Sequence, residues 1–280
     1  MIYIFTALFP EARPLIGRLG LKRSPDQQHF SAWISEDHEY LLAVTGPGPI
    51  SAAIVSSSVF TIRPPAKDDY IVNIGICAGI GMDQTGQCFL CSSVTDTDSG
   101  RSYYPDLLWK HSFPEAALCS GSRVLTDSGD PFLASRCRKG TPLLYDMEAA
   151  ALYQSSAVYA GPHQMSFLKI VSDKGDGSFP SPEEVTGLTA KWLPQICRYM
   201  EELPGPGQQP PDSPLLESLS ADLHCSVTMQ HTLRQYLIWA SLTASSLEEK
   251  IQEMYTSGVL PCKDRKEGKK ILEQLRSFLL

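Results

Sequence analysis

Residues 145–177 read YDMEAAALYQSSAVYAGPHQMSFLKIVSDKGDG. Good helix formers follow Asp146 and Glu148, and the dipole of a helix favours acidic groups in its first turn. Residues 167–171, FLKIV, form a short and mostly apolar run that ends in the polar, glycine-rich turn SDKGDG. The stretch therefore predicts a helix with Glu148 in its first turn, followed by a buried strand of an α/β sheet.

Two carboxylates are predicted at one edge of this sheet. Asp173 follows the strand just described, and Glu11 follows a first predicted strand at residues 1–7. In open α/β sheets, ligands bind beyond the carboxyl ends of the strands. Taken singly, an Asp after a strand is usually a turn former, and a Glu at a helix start is usually a partner of the helix dipole. Only the combination indicates a binding site.

Four segments resemble the purine nucleoside phosphorylase and nucleosidase superfamily. DMEAAA at 146–151 is similar to its acidic-Met-Glu helix start, and VSDKGD at 171–176 to its Ser-Asp-x-x-Asp turn. TGPGPISAA at 45–53 and the glycine-containing segment 73–81 are similar to two further turns. The resemblance covers residues 1–203 and is greatest to the methylthioadenosine/S-adenosylhomocysteine nucleosidases. It implies an α/β fold of three layers, a mixed sheet flanked by helices.

The resemblance also implies an activity, hydrolysis of the N-ribosidic bond of a purine nucleoside, and roles for individual residues. Asp173 would protonate the departing base with the help of Ser172, and Glu11 would activate water. Glu148 would accept hydrogen bonds from the ribose hydroxyls, with Met147 packed on the sugar. Further substrate contacts are implied at Gly75, Ile50 and Leu125. Family members are usually dimers or larger assemblies, so a homodimer or higher homo-oligomer is expected.

The sequence departs from the family pattern at Phe9-Pro10, Ile76, Val124 and Gly175. The sequence predicts a strand that reaches Val124 and Leu125, and a short helix at residues 127–138. Val124 stands where the nucleosidases place an aromatic side chain over the purine. The candidates for a replacement ring in the neighbouring loops are Tyr103, Tyr104 and Phe132.

The choice between water and phosphate as nucleophile depends on the residues at 73–76. Asn73, Gly75 and Ile76 stand where the phosphorylases have an Arg, a Gly and a Ser. A phosphate dianion needs charge-assisted donors, and an isoleucine side chain supplies none. Arg13, near the start of the first helix, is the remaining candidate for binding an anion. Hydrolysis is therefore favoured, with a phosphate-dependent phosphorylase and a non-catalytic nucleoside sensor as alternatives.

The last part of the chain lies outside this resemblance. Residues 204–214, PGPGQQPPDSP, predict a linker that is neither helix nor strand. Residues 215–280 have helical patterns at 223–242, 246–257 and 266–279. We expect a small all-α domain, which in a sensor would serve as the output module.

Composition narrows the class of partner. The 280-residue chain carries a net charge of −7, which argues against a general nucleic-acid binder. No apolar stretch approaches the length of a membrane span, and the amino terminus lacks the basic region of a signal peptide, so a cytoplasmic location is expected. Cys88 and Cys91 form a CxxC pair without a second pair to complete a zinc site. The sequence predicts no metal and no cofactor.

Overall fold

The computed structural model of the chain describes residues 1–25, 29–81, 84–126, 131–136, 142–203, 214–226, 229–230, 232–237 and 247–279. Contacts divide the chain into two compact units, Met1–Pro204 and Gly205–Leu280. The first unit is a mixed α/β structure, and the described part of the second is helical.

One mixed sheet of ten strands organises the first unit. The strands are β1 (Ile2–Thr6), β2 (Lys22–Arg23), β3 (Ser31–Ile34), β4 (Tyr40–Val44), β5 (Tyr70–Ile80), β6 (Cys88–Asp96), β7 (Ser102–Tyr103), β8 (Glu115–Ser120), β9 (Leu143–Asp146) and β10 (Met165–Asp173). Their order is β10-β6-β8-β9-β5-β1-β4-β3-β2, with β7 beside β6. Because β10 also pairs with β5, part of the sheet closes into a ring of five strands, in the order β5, β10, β6, β8 and β9.

Helices cover both faces of the sheet. The helices of this unit are α1 (Phe9–Arg18), α2 (Pro49–Ile62), α3 (Pro131–Arg136), α4 (Ala149–Ser156) and α5 (Pro182–Glu202). Side chains alternate between the faces along β5: Ile71 and Cys77 lie in the core shared with α2 and α4, whereas Val72 and Ile74 lie in the core shared with α1 and α5. The predicted arrangement of a mixed sheet between helical layers is confirmed.

The stretch at 145–177 forms a helix and a strand, with one shift at its start. Asp146 ends β9, and Glu148 is the N-cap residue of α4, not part of its first turn as predicted. Its side chain makes no capping hydrogen bond, which leaves the carboxylate available elsewhere. The predicted strand is present as β10, which includes Asp173 as its last residue.

Two other element predictions need correction. A strand was expected to reach Val124 and Leu125, but β8 ends at Ser120 and residues 121–126 are irregular. Of the short helix expected at 127–138, residues 131–136 form α3, while 127–130 and 137–138 lie outside the described residues.

The second unit has a leucine-rich core of its own. Its described helices include α6 (Pro214–Asp222), α7 (Leu247–Thr256) and α8 (Arg265–Leu279). The helix expected at 223–242 does not begin at Leu223. This residue directly follows the last residue of α6 and is not helical. The expected end of that helix at 238–242 and the expected cap at Ser246 lie outside the described residues. None of the helices in the described ranges is long and apolar enough to cross a membrane.

Candidate active site

The parallel pairing of three strands gathers the predicted site at one edge of the sheet. β1 and β10 both run parallel to β5, so the carboxyl ends of all three strands point the same way. Glu11 lies in the first turn of α1, which begins three residues after β1 ends, and Asp173 closes β10. This strand direction puts both predicted carboxylates at the edge where ligands bind in such folds.

Glu11 is held by backbone amides in a closed environment. Its side chain is only 1% exposed; Oε1 accepts the N–H of Ile76 at 2.8 Å and Oε2 the N–H of Leu8 at 2.8 Å. A Cβ at Gly75 would lie 3.0 Å from Oε1, so the glycine leaves room for the carboxylate beside β5. Burial raises the pKa of Glu11, although both amide donors oppose the shift.

Glu148 faces the glycine turn that precedes α2. Its Oε1 accepts the N–H of Gly48 at 2.7 Å, and Gly48 has a φ of 95°, in the region that favours glycine. Burial, followed by the charge of Asp146, raises the pKa of Glu148 from 4.5 to about 7, against the opposing effect of Lys169. The DME and GPG segments, about a hundred residues apart in the sequence, therefore meet in one site.

A buried ion pair lies among these carboxylates. Lys169 Nζ is 2.7 Å from Asp146 Oδ2, and both side chains are 1% exposed. The same Asp146 oxygen accepts the N–H of Ala149 at 3.0 Å. Burial acts to lower the pKa of Lys169, but the charges of Asp146, Glu148 and Glu11 outweigh it and raise the pKa. The acidic groups around Lys169 therefore favour its charged form.

Lys169 is a candidate site residue that the sequence patterns did not indicate. It lies in the middle of the FLKIV run, where every neighbour is apolar. A lysine inside a buried strand is rarely tolerated without a charged partner. A lysine at this position therefore indicates that a buried acidic partner lies nearby. Only the pairing of β10 with β5, and of β5 with β9, identifies Asp146 as that partner.

Asp173 is half-buried and fixed on both carboxylate oxygens. The hydroxyl of Ser172 donates to Oδ2 at 2.7 Å, and the N–H of Gly175 donates to Oδ1 at 2.8 Å. A register shift between Val171 and Asp173 marks a bulge at this end of β10. Gly175 has a φ of 70°, and a Cβ there would come within 2.6 Å of Leu125 Cδ2. Glycine at position 175, where the family usually has alanine, therefore suits both the backbone conformation and the close approach of Leu125.

Apolar side chains form a separate cluster next to the acidic turn. Ala78, Ile80 and Tyr145 are among its buried members, and Met147, Leu125 and Phe132 pack against them. Of the three candidates for a ring over the base, only Phe132 is in this cluster. Tyr103 stacks on Tyr153 with 4.9 Å between ring centroids, and Tyr104 is 63% exposed.

Three other sequence-based candidates are exposed or bonded within the sheet. Ile50 is 75% exposed in the first turn of α2, so its substrate contact stays a prediction. Arg13 is exposed on α1. Asn73 Nδ2 donates to the carbonyl of Phe5 at 3.0 Å, which engages that amide within the sheet.

Two further features contain none of the predicted site residues. Cys88 and Cys91 are buried free thiols, and burial raises the pKa of Cys88 to about 12. In the part of the chain that the structure describes, no three His, Cys, Asp or Glu side chains gather as ligands for a metal ion. A cavity of about 290 Å³ is lined mainly by β6, β8 and β9; it includes none of the site carboxylates, and two of its hydroxyls, on Thr95 and Ser102, bond each other at 2.8 Å.

Comparison with known proteins identifies the fold. No protein-family model and no curated protein sequence matches the chain. Among solved structures, the chain is similar to a 5′-methylthioadenosine nucleosidase from Arabidopsis thaliana, with a TM-score of 0.60 and 21% identity over 74% of this chain and 96% of that one. A 5′-methylthioadenosine/S-adenosylhomocysteine nucleosidase from Neisseria meningitidis gives a TM-score of 0.57 and 17% identity, over 71% of this chain and 98% of the other.

A futalosine hydrolase from Helicobacter pylori is similar at a TM-score of 0.57 and 13% identity, over 71% of this chain and 98% of the other. The chain therefore has the fold that the sequence resemblance implied, and these solved structures are matched over nearly their full length.

The buried ion pair gives a direct test of stability. Lys169→Met keeps most of the side-chain volume but leaves Asp146 buried without its cation. We expect it to lower the free energy of unfolding by about 3–5 kcal/mol, and Lys169→Met with Asp146→Asn to recover part of that loss. Urea denaturation followed by circular dichroism measures both. The control is Lys22→Met, which removes an exposed pair with Glu36 and should cost no more than about 1 kcal/mol. Equal losses in the two single variants would contradict the assignment.

Glu148 should make stability depend on pH. Its folded-state pKa of about 7 exceeds the ordinary 4.5, so the folded state binds the proton more tightly than the unfolded chain. Stability from this group is therefore present at low pH and is lost as pH rises through about 7. Glu148→Gln removes this loss, and its stability relative to wild type should rise between pH 5 and pH 8 by up to about 3 kcal/mol. Denaturant unfolding at both pH values, with exposed Glu183→Gln for comparison, checks this. A constant difference would refute it.

Proposed function

From the fold that it shares with these nucleosidases, we propose that the chain hydrolyses the N-ribosidic bond of a purine nucleoside and releases the free base. The observation that carries this proposal is the grouping of Glu11, Glu148 and Asp173 at one edge of the sheet, with the buried cation Lys169 between strands. Each carboxylate is fixed by a backbone N–H at 2.7–2.8 Å, which is the preorganisation that acid and base catalysis requires.

The chemistry requires an acid at the base. Cleavage leaves positive charge on the ribose and negative charge on the departing purine, so protonation of the base lowers the barrier. We assign this role to Asp173. The Ser172 hydroxyl and the Gly175 N–H fix the two carboxylate oxygens and so hold the carboxyl group in one orientation. The adjoining cluster of Met147, Leu125 and Phe132 supplies an apolar surface for the base and sugar.

The two buried glutamates take the other roles. Ionised Glu148 accepts hydrogen bonds from the ribose hydroxyls, as its position beside the Gly48 turn permits. Glu11 takes the proton of the attacking water, for which a carboxyl group of raised pKa is suited near neutral pH. Lys169 offsets part of the negative charge that these acids share, and it stabilises the ionised form of Glu148.

Water is the nucleophile in this proposal. A phosphate dianion would be repelled by the carboxylates, and Lys169, the buried cation near Glu11 and Glu148, is paired with Asp146. Arg13 is exposed and Asn73 donates to the backbone of β1, so neither supports a phosphate site. The 5′ substituent follows from the resemblance alone: a methylthioadenosine- or S-adenosylhomocysteine-like nucleoside. A cytoplasmic location stays a prediction from the sequence.

Base release from a panel of purine nucleosides tests the proposal. The panel contains methylthioadenosine, S-adenosylhomocysteine, adenosine and inosine, each with and without phosphate. We expect release without phosphate, and a loss of about 10²–10⁴-fold in kcat for Asp173→Asn and for Glu11→Gln. Asp176→Asn is the matched control, because Asp176 lies exposed in the same turn and should leave the rate within about twofold of wild type.

The other outcomes separate the alternatives. Strict dependence on phosphate, with a ribose 1-phosphate product, would replace hydrolysis by phosphorolysis. Binding of a nucleoside without any cleavage would favour the sensor.

We also propose that the chain forms a homodimer through α2. This helix is apolar on most of its surface, and Ile50 and Ile54, one turn apart, are 75% and 61% exposed. A second copy would remove these side chains from water. Sedimentation velocity should give a dimer for wild type and a monomer for Ile54→Asp. Val259→Asp, which alters an exposed side chain of the second unit, should remain dimeric. A monomeric wild type would contradict the proposal.

A further inference from the structure

A tight turn at residues 84–87 extends the sheet to the edge of the acidic turn. The N–H of Gly86 donates to the carbonyl of Val171 at 2.8 Å, and the N–H of Val171 donates to the carbonyl of Gln87 at 2.9 Å. These two bonds continue the antiparallel ladder of β6 and β10, whose last regular pair is Ile170 with Cys88. The turn therefore holds β10 as far as Val171.

Val171 is the last residue of β10 that is held on both sides. Towards β5 it pairs with Cys77, and the register shifts between Val171 and Asp173. Beyond this point β10 is held on the β5 side alone, through the pairing of Asp173 with Ala78, and the Gly175 N–H bonds the Asp173 side chain. The Ser172 hydroxyl, which donates to Asp173, also lies 3.2 Å from the carbonyl oxygen of Cys77. Asp173 thus lies two residues beyond the last position at which β10 is held from both sides.

Helix α5 anchors the turn through two side chains that bond the same carbonyl. The indole N–H of Trp192 donates to the carbonyl of Gly86 at 2.8 Å, and Lys191 Nζ reaches the same oxygen at 3.2 Å. The Trp192 ring packs against Phe113, with 6.1 Å between ring centroids, at the edge of the core shared by α1 and α5. Gly86 has a φ of 83°, so the turn needs its glycine to present this carbonyl.

We propose that Trp192 is a positioning residue for Asp173. Its indole N–H fixes the Gly86 carbonyl, Gly86 fixes Val171, and Val171 sets the start of the bulge that carries the acid. Lys191 bonds the same carbonyl, but its side chain is exposed and flexible. It therefore cannot replace the indole N–H of Trp192, whose half-buried ring is held by packing. This inference rests on the proposed function, in which Asp173 protonates the departing base.

Trp192→Phe tests it, because phenylalanine keeps the aromatic packing and removes the N–H. We expect kcat for nucleoside cleavage to fall about three- to tenfold, the equivalent of one hydrogen bond, while KM stays within about twofold. Trp109→Phe is the matched control. Its indole N–H is buried in the described structure without a hydrogen-bond acceptor, and its ring packs against the same core. That variant should leave kcat unchanged.

Amide hydrogen exchange of the full-length protein supplies a second readout that does not depend on activity. Exchange in the peptide that contains residues 171–177 should become faster in Trp192→Phe and stay unchanged in Trp109→Phe. A Trp192→Phe variant with wild-type kcat and wild-type exchange in this peptide overturns the inference while the proposed function stands. A drop of equal size in kcat for both tryptophan variants also overturns it. If wild type releases no base, the proposed function fails, and the exchange experiment alone then decides whether Trp192 orders the acidic turn.

Discussion

The buried pair of Lys169 and Asp146 is the interaction on which the site depends. Two opposite charges are 2.7 Å apart with both side chains 1% exposed, a situation that is costly unless each charge keeps its partner. Glu148 and Glu11 lie near enough for Lys169 to oppose the rise in their pKa values. Without this cation, three acids would share a closed space with no compensating charge. The pair thus makes it possible for the fold to concentrate carboxylates at one place.

The sheet supplies the geometry that this pair needs. Among the described strands β5 is the longest, with 11 residues, and it pairs with β1, β9 and β10. Each of these neighbours contributes to the site: β1 leads to the helix start with Glu11, β9 ends at Asp146, and β10 carries Lys169 and Asp173. Glycine at position 75 of β5 leaves space for a glutamate from another element to reach the strand backbone. Gly75 in β5 and the charged groups carried by its neighbouring elements are therefore parts of one arrangement.

The sequence predicted the fold well, because its signals were local. The apolar run 167–171 and the acidic turn after it indicated a buried strand with a carboxylate at its end, and β10 has that form. Signals that depend on distant pairing were missed. Lys169 looked like one polar residue in an apolar strand, and only the register across β5 identifies Asp146 as its partner.

Other misses have equally physical causes. Glu148 was expected in the first turn of α4, where a helix dipole would favour it, but its carboxylate bonds Gly48 and the helix begins one residue later. The strand expected to reach Leu125 ends five residues earlier, at Ser120, and the irregular segment that follows packs against Gly175. The hydrophobic periodicity of α5 could not indicate the proposed role of Trp192. A tryptophan on the apolar face of a helix gives the same sequence pattern whether or not its N–H has an acceptor.

In the proposed reaction, these carboxylates direct water to the anomeric carbon of a purine nucleoside. The most direct measurement is mass spectrometry of the sugar released in water enriched in oxygen-18, with ordinary phosphate present. We expect a free pentose sugar that carries one solvent-derived oxygen-18 atom, formed in equal amount to the purine. An unlabelled sugar 1-phosphate, or intact nucleoside after prolonged incubation with the protein, would contradict it.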